Sequence, residues 1–471
     1  AGLIQLSGFS DIGDELIFSS GLLANVAPEA TGEGGNIQIR GDRLIVSDGA
    51  SITATTRGGG SAGQIDIQLS DSILLDGARE DGFPSGIFAR TRDAATGAGG
   101  DITMSADRLR LSNGAIIAAQ TLNDFASGDI TITADTIEAV SGGQITTSTA
   151  GAGPSGNISL NANTFITLTG QDPIFSDRQA LGNDNPDAAF PNEGPASGIY
   201  ASTQRNASGS GGRIVLTTPS LTLSDRAIIS AQSDGTGTSG TIIFNVTDTL
   251  ALTNGNIRTA ATNSSGGDIH INTASTAQNT LTILEGDSDI TTNSLGDGGN
   301  ITIGGAGIVA FDDSDIISSS GSARGGNITL STFFSETIPP GNAEDFDNNE
   351  QVDLNASGAL ASGTITAPDT SFLQNSLADL PEGILNTESL IAGSCVARNE
   401  DGSSTFNITG AEGLRDRPGD PTSAYTTGEV QPLPEAEGRW QPGDPIVEPQ
   451  GVYHLPNGEL LLSHSCQHPN Q

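Results

Sequence analysis

Few residues in this chain have types and spacings that could do chemistry. The histidines are His270, His454, His464 and His468, and the cysteines are Cys395 and Cys466. Sugar lyases and hydrolases need a carboxylate cluster, often with calcium, a Lys or Arg base, or a His beside paired Asp. This chain has no lysine, and His270 has no acidic partner pattern around it. No Gly-x-Ser-x-Gly elbow and no Ser/His/Asp grouping stands out. Catalytic chemistry is therefore not expected, and no cofactor is implied. His464, Cys466 and His468 alternate, so an extended strand would put them on one face, where with His454 they could hold zinc. Asp312-Asp313-Ser314-Asp315 offers oxygen ligands for calcium but lacks the glycine-rich nonapeptide of calcium β-rolls. Arg40-Gly41-Asp42 spells an integrin-type tripeptide at a place where a turn is expected anyway.

The elements that would position such groups follow from a repeat. Eleven glycines, from Gly35 to Gly363 at intervals that return to 28 or 27 residues, are each followed two residues later by isoleucine, from Ile37 to Ile365. A fixed period of this size marks one supersecondary unit stacked on copies of itself. In Gly34-Gly35-Asn36-Ile37-Gln38-Ile39, two glycines bend the chain and apolar residues then alternate with polar ones, as in a strand with one buried face. Leu44-Ile45-Val46 follows, then the turn Asp48-Gly49, then the alternating Ser51 to Thr56. Three strands and three turns in about 28 residues make one coil of an all-β parallel β-helix, with about eleven or twelve coils in all. Position Gly+4 is apolar in every repeat, ending in Ala367. Thr-x-Thr pairs such as Thr53/Thr55 and Thr131/Thr133 are good outward strand residues and also have the look of ice-binding ladders. Sequons such as Asn157-Ile158-Ser159 and Asn300-Ile301-Thr302 fall out of the repeat text.

Longer intervals mark insertions. Ala78 to Ser85 and Gln171 to Ser197 both begin after the same turn glycine, Gly77 and Gly170, and rejoin through Gly86-Ile87-Phe88-Ala89 and Gly198-Ile199-Tyr200-Ala201. They leave one corner of the triangle three coils apart, roughly 15 Å. They read as tolerated loops or as the two halves of one contact surface. The domain reading is a repeat region over 1–370, an amphipathic collar over 371–394 containing Leu377, Leu380 and Leu385, and a C-terminal capping module over 395–471. Val452 to Leu462 around Pro456-Asn457-Gly458 reads as a β-hairpin. Two cysteines confined to one module suggest a Cys395–Cys466 disulfide and an oxidising compartment, with two free thiols as the alternative.

The net charge is −38, with 56 Asp and Glu against 18 arginines. Such a surface repels nucleic acid and anionic lipid. No run of about 18 apolar residues exists to span a membrane as a helix.

The recurring Gly-Gly-Asn/Asp-Ile-x-Ile, then Leu-x-Leu/Val, then Asn/Asp-Gly-Ala-x-Ile-x-Ala, resembles the large filamentous-haemagglutinin-like exoproteins of two-partner secretion, the cyanobacterial S-layer-family type. The tail is the more specific part: Ser371-Phe372-Leu373-Gln374-Asn375-Ser376-Leu377, Ser394-Cys395, Arg417-Pro418-Gly419-Asp420 and Gly443 to Tyr453. The resemblance spans about residues 30 to 466. It implies a right-handed β-helix, export through an outer-membrane β-barrel transporter, and a secreted or outer-cell-surface location. The family's N-terminal secretion domain is missing from this chain, which reads as a fragment. The expected function is a non-catalytic adhesive rod with a cell-surface or carbohydrate ligand. The alternative is a carbohydrate-active β-helix enzyme.

Overall fold

The computed structural model describes residues 2–11, 17–79, 82–92, 95–183, 193–272, 279–335 and 349–368, together with the strands Gln431–Pro432, Gly451–His454 and Leu460–Ser463. The chain divides into two compact units, Ala1–Thr370 and Ser371–Gln471. The first is a right-handed parallel β-solenoid of about 10 turns, roughly 29 residues each. That is fewer than the eleven or twelve expected from the glycines. The difference lies at the ends, where Leu3–Ser7 pairs only with the second half of the next long strand and Ile365–Thr366 is the last strand laid down.

Two sheets run along the solenoid, one of 16 strands and one of 11. The expected first and second strands of a coil are mostly one long strand with a bend, for example Ile37–Ser47, Ile130–Val140 and Ile214–Ser224. Pairing slips at the bend, between Gly41 and Arg43, Ala134 and Thr136, and Thr218 and Ser220. Pro219 sits at that slip, where a missing N–H costs no ladder bond. Arg40-Gly41-Asp42 is the same bend: Arg40 pairs with Asp66 at 2.6 Å, and Asp42 accepts from Ser70 and the Gly2 amide. The third strand is short, as in Ser51–Thr53 and Gln144–Thr146. It is prolonged by single bridges through Thr121, Thr149, Thr203 and Ser233.

The register explains the repeat text. Ile102, Ile130, Ile158, Ile214 and Ile242 pair in succession and are all fully buried. The short sheet adds its own column, Ile117, Ile145, Ile199, Ile229 and Ile257. The leading glycine is a steric requirement. A Cβ added to Gly128 would lie 2.0 Å from the Gly100 carbonyl oxygen, and one on Gly156 would lie 1.9 Å from that of Gly128. Any side chain there would push two coils apart.

The Asn or Asp after that glycine has its own task. The side-chain oxygen of each such residue accepts the backbone N–H of its counterpart one coil on: Asp101 from Asp129, Asp129 from Asn157, Asn157 from Arg213, Asp268 from Asn300, Asn300 from Asn327 and Asn327 from Thr364. These exposed ladders pair corner donors that the sheets leave unused. They also tie down the side chains of the sequon residues Asn157 and Asn300.

At the second corner, Asp48-Gly49, Asn113-Gly114 and Ser141-Gly142 carry consecutive positive φ, the geometry of a type I′ turn. Asp225-Arg226 makes the same turn with φ of 52 and 68, without a glycine. In the second unit, Gly451–His454 and Leu460–Ser463 pair antiparallel, as the hairpin reading expects, and Gln431–Pro432 adds a parallel strand.

Two outcomes follow. Ile158→Ala should destabilise the solenoid by about 2–4 kcal/mol through a cavity between coils. Faster amide exchange should be confined to the neighbouring coils, because each coil touches only its neighbours. Uniform loss of protection would contradict that register. Arg226→Gly should stabilise by about 1 kcal/mol in chemical denaturation, since it removes a side chain from the left-handed region.

Candidate functional site

The outward side chains of the short sheet are unusual for a solenoid surface, because many are buried. Phe88, Ala118, Thr146, Tyr200 and Ser230 occupy one outward column, and each is at most 1% exposed. Beside them in the same face lie Thr55, Arg90, Gln120, Ser148 and Ser202, also buried. The two insertions provide much of this cover. Each is closed at its base by one antiparallel bridge, Ala78 to Pro84 and Gln171 to Ala196. The serines that end them, Ser85 and Ser197, accept the turn amides of Gly49 and Gly142 at 2.8 Å.

The first insertion lays Phe83 against Phe88, ring centroids 5.7 Å apart and edge-on. The Arg79 guanidinium lies 5.2 Å from the Phe83 ring, and that of Arg90 lies 4.5 Å from the Phe88 ring. The result is an alternating run of cation, ring, ring and cation, favourable because a ring face carries negative potential. Arg57 and Arg92 repel Arg90 from nearby. Burial chiefly, and then those two charges, pull its pKa down to about 9.

The second insertion carries the helix Phe175–Asn183. Arg178 pairs with Asp172 at the loop base and reaches the Gly114 carbonyl at 3.5 Å, which pins the helix back across two coils. Burial lowers Arg178 to a pKa of about 10. Past the helix, Gln144 is held on both sides: its Nε2 donates to Gly194 and Ala196, and its Oε1 accepts from the Glu193 amide. The Glu193 carboxyl accepts from Ser148 Oγ. Burial raises its pKa, and the Ser148 bond, with weaker help from Thr146 and Arg258, opposes the rise that Asp234 reinforces. Tyr200 donates from its hydroxyl to Ala196 at 3.2 Å, and burial pushes its pKa up as well. Asp234 and Arg258 thus lie near enough to Glu193 to act on its carboxyl, Asp234 raising its pKa and Arg258 lowering it.

A second acidic place lies at the far end. Asp289, Asp315 and Asp353 precede the paired short strands Ile290–Thr291, Ile316–Ile317 and Leu354–Asn355, so they stack in consecutive coils. Asp312 and Asp313 form the turn there, both with positive φ. The Asp353 amide donates to Asp315 at 2.8 Å, and the Asn349 and Gln351 amides donate to Asp313. Two of the carboxylates suggested for calcium, Asp313 and Asp315, thus accept from backbone amides. Among the described residues, no group of three or more His, Cys, Asp or Glu is arranged to hold a metal ion. Burial first, and then Asp289, Asp353 and Asp313, raise Asp315 to a pKa of about 8.

His270 sits in the long sheet, flanked in register by Ile243 and Thr302. Cys395, Cys466, His464, His468, Leu377, Leu380 and Leu385 fall outside the described residues, and of His454 only the backbone is described. Among the described residues no helix is long and apolar enough to cross a membrane. Glu193 and the Arg57, Arg90, Arg92 group are absent from the sequence reading. Lining up the coils by Thr56, Thr91 and Thr121 would have put Arg57 and Arg92 in one column; Glu193 sits in loop text with no periodic signal. No protein-family model matches this chain, and neither a curated protein nor a solved structure shows significant similarity to it.

Asp315 sets a pH dependence. Its folded pKa lies above its unfolded value, so its stabilising contribution is complete below about pH 4 and is lost as pH rises through about 8. The coils around Asp315 should weaken over that window by on the order of 2–5 kcal/mol, measured by amide exchange at several pH values. Asp315→Asn should flatten the profile. An unchanged profile would assign it to other groups.

Proposed function

We propose that this chain is part of a non-catalytic rod of the two-partner-secretion exoprotein kind, displayed outside the cell and adhesive in role. The observation that supports this most is where the variation sits. The buried isoleucine columns run unbroken past both insertions, and both insertions fold onto the same outer face. A solenoid whose core closes coil by coil can carry binding loops on one flank without disturbing its fold. The net charge of −38 keeps such a rod hydrated and turns away nucleic acid. Export through an outer-membrane barrel and a secreted or surface location rest on the resemblance of the repeat and tail text. A cell-surface glycan is the ligand class this reading favours.

One observation favours a second reading, a carbohydrate-active enzyme. The Glu193 carboxyl, raised in pKa beside Asp234 and Arg258, has the bias of a general acid.

Two assays separate the readings. Beads coated with the protein should adhere to glycan-bearing surfaces. A variant in which residues 78–85 and 171–197 are each replaced by a short Asp-Gly turn should keep its far-ultraviolet spectrum and lose adhesion. Undiminished adhesion would remove the insertions from the role. Acidic and neutral polysaccharides incubated with the protein should yield no new chain ends. Turnover that disappears in Glu193→Gln would move the assignment to the enzyme.

A further inference from the structure

Arg90 is 8% exposed, and its Nε has no hydrogen-bond partner. The Nε atoms of Arg178 and Arg258 are also unpartnered, but Arg178 pairs with Asp172 and Arg258 lies near Glu193. The outward arginines of the long sheet are treated differently: Arg40 pairs with Asp66, Arg43 and Arg108 with Asp71, and Arg110 with Glu138. Carboxylates outnumber arginines 56 to 18 in this sequence, so a counter-ion for Arg90 was easy to supply. Among the described residues none pairs with it. Among the described residues, the charges that act on it are Arg57, which is exposed, and Arg92, which is 7% exposed, both of its own sign. A buried cation among like charges is costly unless something negative joins it.

We propose that Arg57 and Arg90, with Arg92 beside them, form a site for one small oxyanion, a carboxylate or sulfate group, held over the Phe83–Phe88 pair. A guanidinium fork matches the two oxygens of such a group and binds them through parallel hydrogen bonds. The orphaned Arg90 Nε is one such donor. The Phe88 ring fixes the plane of the Arg90 guanidinium from below, so the fork is preorganised. The surrounding surface selects against long polyanions. With a net charge of −38, an extended chain of negative groups meets repulsion beyond this niche, whereas a single group does not. A uronic acid or sulfated sugar residue at a chain end has the required charge, and so does the free anion. The site lies on the face of the two insertions, yet it stands whether or not the rod is adhesive.

The test is calorimetric titration and thermal unfolding of the whole chain with sodium sulfate, glucuronate and, as the uncharged control, glucose. Sulfate and glucuronate should bind and raise the unfolding temperature, glucose should do neither, and binding should weaken with added sodium chloride. Arg90→Gln should reduce anion affinity at least about tenfold, a loss of about 1.4 kcal/mol. Without anion this variant should unfold no earlier than the parent, since it removes an unpaired buried charge. Arg57→Gln, at an exposed position, should weaken binding with the fold intact. Binding of sulfate without glucuronate would support the site and assign it to the free anion. Binding of glucose equal to glucuronate, no binding by any of the three, or equal titration of the parent and both variants would overturn the proposal.

Discussion

Parallel strands of successive coils lie one ladder spacing apart, about 4.8 Å, and everything else in the solenoid has to fit that gap. The backbone comes closest at the leading glycine, where the carbonyl of one coil points at the α-carbon of the next. Only a residue without a Cβ tolerates that approach. Once the glycine is fixed, the residue after it meets an unpaired amide in the next coil, and Asn or Asp supplies the acceptor. The residue after that points inward and meets its own copy. The Gly-Asn/Asp-Ile signature is therefore three consecutive solutions to one spacing.

This physical origin explains what was legible in the sequence. The isoleucine column, the parallel stacking and the turn at Asp48-Gly49 are repeated constraints, so they leave a periodic mark. The bend inside each long strand left a weaker one. In the sequence it reads as a break between two strands, because Gly41-Asp42 looks like a turn; the backbone there slips by a residue without leaving the sheet. Groups that occur once left none. Glu193 works through Gln144 and Ser148, which lie about fifty residues upstream, and only the folding of residues 171–197 onto the short sheet brings them together. Asp315 was visible as a member of an acidic run, but its partners Asp289 and Asp353 come from the coils on either side.

The same economy shapes the outer surface. The long sheet faces outward with threonine, serine and salt-bridged arginine, ordinary strand residues in water. The short sheet faces outward with phenylalanine, tyrosine and orphaned arginine, covered in part by loops. Polar groups in such surroundings cost free energy unless they are satisfied. Glu193 offsets this cost by accepting from Ser148 Oγ, and Arg178 by pairing with Asp172. These residues make the short sheet, rather than the long one, the face on which specific recognition can be built.

The claim beneath all of this is that residues one repeat apart are stacked neighbours. It is tested most directly by electron–electron distance measurement between spin labels at the outward positions Thr103 and Thr302. The pairing passes from Thr103 through Thr131, Ser159, Val215, Ile243 and His270 to Thr302. Six steps at the ladder spacing predict a narrow distribution centred at about 29 Å. A broad distribution, or one centred beyond roughly 40 Å, would contradict the stacked register and every site derived from it.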